Sequence, residues 1–406
     1  MGDNFIYFDN INTTFLDPGI AAFIAKLLDS KLGNPSSQIH AAGIAAGEVL
    51  DEARQKVASL IDAAPDSITF TSGATESNNL AITGFLKAHP KYQLAVSEIE
   101  HFSIINQARR LRGDGRQVTF IDVDNSGFVD LSQMEKVIAS GPTLVSIAMA
   151  NPEIGTIQDI ERIAALCKKY NAVLHCDAAS AAAILPIDVA KLGIGLLTLS
   201  AHNMYGPAGI GALYLASDIN IAPLFDGGNQ ENGSRPGTEN LIGAAAMGEA
   251  CLLARMNRAM WYESLSPLGE RLWQGLADSV QFIHFTGPLK LKKRLPGHVS
   301  FWVEHIEGES LLLFLNMHGV MAASGSACSS NLKGKDEEDL IASHVLTAVG
   351  VPTDICAGSI TFSLAKYNTQ NDVDYVISVM PGIVEKLLAM SPSYSDYKKK
   401  KEIIHE

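Results

Sequence analysis

Short apolar segments alternate with amphipathic segments along much of this chain, and this alternation constrains the fold more than any other feature. The apolar segments lie at residues 68–71, 94–97, 118–121, 144–148, 173–176, 196–200 and 211–215. They have the β-branched and apolar content of strands. Residues 130–140 and 159–170 each begin with an aspartate and repeat apolar residues at three-to-four spacing, as capped helices do. The pattern predicts an α/β fold with a mostly parallel sheet that helices cover on both faces.

The pattern changes after about residue 255. A long helix is expected there, followed by strands near residues 299–303 and 360–364 and helices at residues 308–317 and 373–390. This arrangement is typical of a smaller α+β unit. We therefore expect a large domain of residues 16–255 and a small domain formed by residues 1–15 and 256–406.

The composition indicates a compact protein with a large buried interior. Of the 406 residues, 47% are hydrophobic and 18% are charged. The net charge of -13 provides no long basic surface, so we exclude nucleic acid as a partner. The N-terminus carries Asp3 and Asp9 and lacks the basic-then-apolar order of a secretory signal, which predicts a cytoplasmic protein.

Residues 192–217 contain no Asp, Glu, Lys or Arg, and by length alone they would suffice for a membrane span. The same residues include His202, Asn203, Pro207 and five glycines. Their polar groups would lack hydrogen-bond partners in lipid. A buried strand, a polar turn and a second strand fit better, and we expect no contact with a membrane.

Two polar turns follow predicted strands and are candidates for ligand binding. The first, residues 72–79 (SGATESNN), opens a helix, where backbone N–H groups and the Thr75 hydroxyl could hold a phosphate. A helix cap in a close-packed turn is the alternative. The second, residues 200–211 (SAHNMYGPAGIG), lies at the carboxyl end of a strand, the usual ligand edge of such sheets. Asp177 ends another strand and could pair with a protonated pyridine nitrogen or cap a helix.

These segments and their order resemble the cysteine desulfurase family, the NifS- and IscS-like branch of the class-V aminotransferase superfamily. The resemblance spans nearly the whole chain and is carried by YFD at 7–9, GNPSS at 33–37 with His40, TSGATES at 71–77, Glu100-His101, Asn151 with EIG at 153–155, HCDA at 175–178, YGP at 205–207, RPGTEN at 235–240, EGES at 307–310, SGSACSS at 324–330 and Ser363-Leu364. It implies a homodimer with the pyridoxal phosphate-dependent transferase fold type I. That fold has a mostly parallel seven-stranded sheet in a large domain and a smaller α+β C-terminal domain.

The resemblance also implies the residues of a pyridoxal 5'-phosphate site. His101 would stack on the pyridine ring and take part in catalysis, and Asp177 would face the ring nitrogen. Thr75, Ser200 and His202 would bind the phosphate. The remaining cofactor positions would be Gly73, Ala74, Asn151, Ser180, Asn203 and, from the other subunit, Thr238, while Asn34 and the position of Thr361 would contact the substrate.

Cys328 matches the cysteine that in this family attacks the substrate sulfur and carries it as a persulfide. It is one of five cysteines, whose count and spacing suit neither a disulfide framework nor a metal site, so they are interpreted as free thiols. A lone cysteine considered without the family is more often an inert buried residue. As a thiolate, Cys328 is also a candidate ligand for an iron–sulfur cluster.

Four positions depart from the family pattern. Asn203 replaces the lysine that binds the cofactor covalently, and an amide can neither form that bond nor accept the α-proton of a substrate. Thr361 replaces the arginine that grips the substrate carboxylate and lacks its charge and fork geometry. Ser180 and Pro152 replace a glutamine and an asparagine near the cofactor. Lys366 is a candidate to replace part of the lost charge.

Three functions remain open on this evidence. The first is a diverged desulfurase-like protein for sulfur transfer or iron–sulfur cluster assembly, with a scaffold or sulfur-acceptor protein as partner. The second is an enzyme that holds pyridoxal or pyridoxamine phosphate noncovalently and moves protons with His101 or His202. The third is a non-enzymatic subunit that docks a partner through its dimer and residues 391–406. Normal turnover with an amine from another residue is a further alternative, although no lysine is near Asn203 in sequence.

Overall fold

The centre of the computed structural model, which describes residues 5–324, 343–352 and 358–405, is a seven-stranded sheet. In spatial order its strands are β2 (Ile68–Thr71), β8 (Gly211–Leu215), β7 (Leu196–Ser200), β6 (Val173–Asp177), β5 (Thr143–Ala148), β3 (Gln93–Ser97) and β4 (Val118–Ile121). Only β8 runs against its two neighbours, β2 and β7, and all other pairs are parallel. The predicted α/β class and mostly parallel sheet are confirmed.

The sheet is covered on both faces, which explains its uninterrupted apolar strands. Every residue of β2, β3 and β7 is buried, as is typical of parallel strands between two helix layers. Along β3, Ala95 belongs to one hydrophobic cluster, whereas Leu94 and Val96 belong to another. Because successive strand residues point to opposite faces, the two clusters lie on the two sides of the sheet.

The described helices number thirteen, and a capping side chain precedes nine of them. The thirteen are α1 (Pro18–Leu28), α2 (Ala41–Leu60), α3 (Ala74–Asn79), α4 (Phe85–Ala88), α5 (Phe102–Gly113), α6 (Leu131–Ala139), α7 (Ile160–Lys169), α8 (Val189–Leu192), α9 (Leu241–Ser279), α10 (Gly308–Met317), α11 (His344–Ala348), α12 (Gln370–Met390) and α13 (Pro392–His405). Asp130 accepts hydrogen bonds from the first backbone N–H groups of α6, and Asp159 does so for α7. The two aspartate-capped helices are therefore confirmed.

The C-terminal half contains a four-stranded antiparallel sheet. Its order is β12 (Ala323–Ser324), β13 (Ile360–Ser363), β10 (His298–Val303) and β9 (Ile283–Phe285). The N-terminal strand β1 (Ile6–Tyr7) pairs in parallel with β11 (Val320–Met321), so the start of the chain lies against the C-terminal half. The division into domains at residues 16 and 255 stays a prediction.

Helix α9 connects the two halves. It packs against α2 near one end, where Gly248 meets Ala53, and against α12 near the other, where Gly275 meets Ile377. The sequence placed a long helix after residue 255, but α9 begins at Leu241 and continues through Pro267. The single helix thus ties the central sheet to the C-terminal sheet.

The uncharged segment 192–217 forms β7, a polar turn and β8 inside the central sheet, as expected. None of the helices in the described part of the chain has the length and hydrophobicity that a membrane span requires.

A buried ion pair fixes the loop that precedes α9. The Glu231 carboxylate accepts two hydrogen bonds from Arg54, at 2.7 and 2.8 Å, and a third from the backbone N–H of Phe70 at 2.9 Å. Glu231 and Asn232 adopt left-handed backbone conformations, with φ of 51° and 55°. Such conformations are uncommon outside glycine and persist where surrounding contacts enforce them. Here the three hydrogen bonds hold the turn.

Replacing Glu231 by alanine should lower the free energy of unfolding by about 3 kcal/mol, because it leaves the partly buried Arg54 without its partner. Chemical denaturation of wild type and variant measures this loss. As a control, Asp114→Asn removes an ion pair whose side chains are 54% and 61% exposed, and it should cost less than about 1 kcal/mol. Equal losses in the two variants would contradict this account of the loop.

Candidate functional site

A cavity of 660 Å³ lies at the edge of the central sheet where β2, β6 and β7 end. Its described lining includes ten positions that the sequence assigned to the site: Gly73, Ala74, Thr75, His101, Asn151, Asp177, Ser180, His202, Asn203 and Thr361. This is the edge at which open α/β sheets bind ligands. The fold therefore brings most of the predicted site together.

The turn between β2 and α3 forms one end of the cavity. Gly73 has φ of 151°, and a Cβ there would meet no atom within 4 Å, so the backbone faces open space. Behind it, a Cβ on Gly211 would lie only 2.7 Å from the Gly73 Cα atom. Residues 74–88 are helical throughout, as α3, a π-helical turn and α4. The turn thus presents free N–H groups at a helix start, which suits a phosphate.

Glu76 lies beside this turn, and its carboxylate forms an ion pair with Arg235. Its carboxylate accepts a hydrogen bond from Ser72 N at 2.6 Å and from Arg235 Nε at 2.9 Å. Burial alone would raise the pKa of Glu76, but these hydrogen bonds outweigh burial and lower the pKa below its ordinary value. The acid is therefore ionised and paired at neutral pH.

Ser200 ends β7 beside the same turn. It pairs with Gly211, the residue packed against Gly73, so it lies next to the turn, although it is not among the described lining residues. Its hydroxyl is fully buried and has no hydrogen-bond partner among the described residues. Buried hydroxyls normally have one, so a ligand oxygen at this turn would supply a missing partner.

The next turn carries His202 and Asn203. The His202 carbonyl accepts hydrogen bonds from the backbone and the hydroxyl of Thr14, at 2.9 and 2.8 Å, and burial lowers the pKa of the imidazole. The Asn203 Nδ2 atom donates to the Ile11 carbonyl at 2.9 Å. Asn203 therefore holds the N-terminal segment, whose Ile11 also lines the cavity.

The described lining of the cavity contains neither lysine nor arginine. Lys366, the candidate replacement for the lost arginine, forms an ion pair with Asp17 and packs over the rings of Tyr205 and Tyr367, with Nζ at 4.3 and 4.9 Å from their centroids. It is not a described lining residue. Its placement does not support a role in binding a substrate carboxylate.

Asp177 is fixed at the carboxyl end of β6. Its Oδ2 atom accepts a hydrogen bond from Asn78 Nδ2 at 2.8 Å, and its Oδ1 atom accepts one from Ala179 N at 2.9 Å. Neither hydrogen-bond donor is charged, so these two contacts leave room for a cationic partner such as a protonated ring nitrogen. Asp177 lines the cavity, and its predicted role opposite a pyridine ring stays a prediction.

His101 caps helix α5 and lines the cavity. Its Nδ1 atom accepts a hydrogen bond from Ser103 N at 3.1 Å and lies 2.8 Å from the Ser103 hydroxyl. These contacts fix the orientation of the imidazole ring. A fixed flat ring on the cavity wall suits stacking against an aromatic ligand.

The sequence-based assignment missed three cavity residues that the structure makes prominent. Glu100, Glu153 and His344 line the cavity. Glu100 and Glu153 occur within the motifs that carry the family resemblance, but nothing in the sequence shows that their side chains are buried. His344 belongs to no such motif, and only the fold brings it to the cavity.

Three predicted site residues that the structure describes, Asn34, Ser200 and Thr238, are absent from the described lining of the cavity. Asn34 and Thr238 are exposed. An exposed Thr238 is compatible with a contact to a second subunit, and that role stays a prediction. Cys328 lies outside the described residues.

Comparisons with known proteins agree with this geometry. Residues 6–376 match the family model described as aminotransferase class-V. The chain is 38% identical to a cysteine desulfurase IscS of Dictyoglomus turgidum, covering 97% of this chain and 98% of the relative. It is 40% identical to cysteine desulfurase IscS 1 of Archaeoglobus fulgidus, covering 96% and 99%.

Solved structures give the same result. A NifS-like protein superposes with a TM-score of 0.86 at 32% identity, covering 95% of this chain and all 100% of that one. A NifS-like protein of Rickettsia africae superposes with a TM-score of 0.83, also at 32% identity, covering 94% and 100%. The chain belongs to the class-V aminotransferase family, which depends on pyridoxal phosphate, and within it to the IscS- and NifS-like cysteine desulfurases.

Proposed function

We propose that this protein is a desulfurase-like member of its family that serves sulfur transfer or iron–sulfur cluster assembly without ordinary turnover of cysteine. The proposal rests on the absence of lysine and arginine from the described lining of the cavity. The Asn203 amide, at the position predicted for the lysine, donates a hydrogen bond to the Ile11 carbonyl. The relatives are named cysteine desulfurases, so the protein keeps their fold and site while lacking two of the groups their chemistry uses.

The loss at position 203 affects both covalent and proton-transfer chemistry. A carboxamide cannot bond to the aldehyde of the cofactor, and it does not accept a proton at neutral pH. Loss of a positioned general base typically slows a reaction roughly 10²- to 10⁴-fold. Asn203 is also occupied as a hydrogen-bond donor to the Ile11 carbonyl. Ordinary desulfuration should therefore be very slow.

The loss at position 361 affects substrate binding. The Thr361 hydroxyl donates to the Glu153 carbonyl at 3.1 Å, so it is already engaged. A bidentate arginine–carboxylate contact is charge-assisted, and a hydroxyl supplies neither the charge nor the second hydrogen bond. An amino-acid carboxylate thus has no described cationic partner in this cavity.

The remaining residues fit pyridoxal phosphate held noncovalently. The turn at Gly73 and Thr75, with Ser200 and His202 beside it, would hold the phosphate, while His101 and Asp177 would position the ring. When bound, the cofactor supplies an electron-withdrawing ring that weakens bonds at the carbon bearing a substrate amine. His202 is neutral at pH 7 because burial lowers its pKa, so its imidazole is in a form that accepts a proton. An enzyme with altered chemistry is therefore the second candidate function.

Cys328 is the residue that we propose to carry sulfur or to ligate an iron–sulfur cluster. Ser324, the last described residue before its segment, and His344, the second described residue after it, both line the cavity. A thiolate can accept sulfur or bind iron without chemistry at the cofactor. The cytoplasm, where thiols stay reduced, is the location that we propose.

We also propose a homodimer. Helix α1 is strongly apolar, yet Ile20 is its only buried residue. Large apolar side chains are exposed at Leu28, the last residue of α1, and on both sides of the helix at Phe15, Leu16, Ile39 and Ile44. Apolar surface of this kind marks an interface. A second copy would cover it, and an iron–sulfur scaffold or a sulfur acceptor would be the further partner.

Ser200→Ala should weaken binding of pyridoxal phosphate roughly tenfold without lowering stability, because the buried hydroxyl has no described partner to lose. Titration of cofactor absorbance and thermal unfolding measure the two effects. The matched control is Ser146→Ala, which removes a buried hydroxyl that lies 2.9 Å from His175. This control should lower stability and leave affinity unchanged. Unaltered affinity in Ser200→Ala would contradict the assigned phosphate site.

The wild-type protein should release no alanine from L-cysteine above the rate of free pyridoxal phosphate. The double variant Asn203→Lys/Thr361→Arg regains the amine and the carboxylate partner and should release alanine at least roughly 10²-fold faster. Asn203→Gln/Thr361→Arg is the control, since it lengthens the amide without adding an amine. Alanine release by wild type at the rate of the first double variant would overturn the proposed function.

Cys328→Ala should abolish transfer of sulfur from a persulfide donor, or of a reconstituted cluster, to an acceptor protein. Radiolabelled sulfur and the visible absorbance of the cluster provide the readouts. Cys167→Ala is the control, because burial raises the pKa of that thiol to about 12 and keeps it unreactive. Transfer that survives in Cys328→Ala would end the proposed role of this residue.

A further inference from the structure

Part of the cavity wall is built from elements that do not carry the phosphate turn, and its acids have no cationic partner among the described lining residues. We call it the inner wall, formed by Glu100, Asn151, Glu153, His344 and Thr361. Hydrogen bonds join its members: Asn151 Oδ1 accepts from Glu153 N at 2.9 Å, and the Glu153 carbonyl accepts from Thr361 at 3.1 Å. His344 Nε2 lies 2.9 Å from the Glu100 carbonyl. These bonds form two groups, one of Asn151, Glu153 and Thr361 and the other of Glu100 and His344.

Glu100 is the most buried acid of the inner wall. Only 1% of the residue is exposed, and its Oε1 atom accepts a hydrogen bond from Ala148 N at 2.9 Å. Its Oε2 atom has no partner among the described residues. Burial raises the pKa of Glu100 well above its ordinary value, and nearby Asp177 adds to this increase. Burial therefore favours the neutral, protonated form of this carboxyl group, and a cation placed beside it would favour ionisation.

Glu153, like Glu100, has a raised pKa and a carboxyl oxygen without a described partner. Burial raises the pKa of its carboxyl group to about 8, although a hydrogen bond with Ser343 opposes the increase. Its Oε1 atom is buried and has no described partner. Glu100, Thr361 and His344 line the same cavity, and burial lowers the pKa of His344, which favours the neutral form of this imidazole. No described cation offsets either acid.

The other acids of the described lining, Glu76 and Asp177, have hydrogen-bond partners for both carboxylate oxygens. Carboxyl oxygens without a described partner therefore occur, in this lining, on the inner wall. Arg235 and Ser72 N satisfy Glu76, and Asn78 and Ala179 N satisfy Asp177. A buried acid without a partner is costly, and a bound cation would remove much of that cost. A bound carboxylate would meet two further acids and no described positive charge.

We propose that the inner wall binds the cationic amine of a small ligand, and that the protein prefers carboxylate-free amines to α-amino acids. The inference rests on the proposed function, because it assumes a cavity that no longer selects cysteine through its carboxylate. Glu153 is the proposed partner of the amine. Thr361 contributes by leaving space and by placing no positive charge beside Glu153.

Cysteamine and 3-mercaptopropionate provide a matched pair of probes, since both are small thiols and differ in whether an amine or a carboxylate ends the chain. Calorimetric titration of the purified full-length protein should give a Kd for cysteamine at least roughly tenfold lower than for 3-mercaptopropionate. Glu153→Gln keeps the shape of the side chain and should remove this preference. Thr361→Arg should reverse it by restoring a cation.

Glu98→Gln serves as the control variant, because Glu98 also has a pKa raised by burial yet is not a described lining residue. It should leave the preference unchanged. Tighter binding of 3-mercaptopropionate, a preference that survives in Glu153→Gln, or no binding of either probe would each overturn the inference. If Thr361→Arg does not fold, the isosteric Glu153→Gln variant still decides the question.

Alanine release from L-cysteine, measured on the same preparations, keeps the two proposals distinguishable. Alanine release by wild type would contradict the proposed function and leave the probe affinities to be judged separately. Preference for 3-mercaptopropionate without alanine release would contradict only the inference about the inner wall.

Discussion

The direction of the sheet strands is the constraint on which the site depends. Strands β2, β6 and β7 run the same way, so Thr71, Asp177 and Ser200 end at one edge. The turns that follow them place a helix start, a carboxylate and the Asn203 turn around one cavity. The three residues are neighbours because the carboxyl ends of parallel strands share one edge of the sheet. They are distant in sequence because parallel strands are joined by long crossover connections. Variation in the turns alters the chemistry while the sheet stays intact.

The chemistry of the cavity follows from which charges it contains. Its phosphate turn and Asp177 suit a phosphorylated pyridine, whereas its described residues supply no amine and no cation for a carboxylate. The Asn203 side chain has a structural contact of its own, because it donates to the Ile11 carbonyl and fixes the N-terminal segment against the site. Glu100 and Glu153 are buried acids, and each has a carboxyl oxygen without a hydrogen-bond partner among the described residues. A cation beside them would lower the cost of their burial.

Much of the fold could be predicted from the sequence, because periodicity and caps are local signals. All seven strands of the central sheet were located, and Asp130 and Asp159 were identified as caps. The start of α9 was missed because its alanine-rich first turns show little periodicity. The burial of Glu153, the placement of Lys366 with Asp17 and the role of Asn203 depend on tertiary contacts, which local patterns do not encode.

The central claim is that this cavity lacks an amine able to bond to the cofactor. Intact-mass spectrometry after borohydride reduction in the presence of pyridoxal phosphate tests it most directly. The account predicts an unmodified chain, while a cysteine desulfurase that retains the lysine, treated in parallel, gains the mass of the reduced cofactor. Stoichiometric addition to one lysine of this chain, abolished by changing that lysine to arginine, would contradict the account.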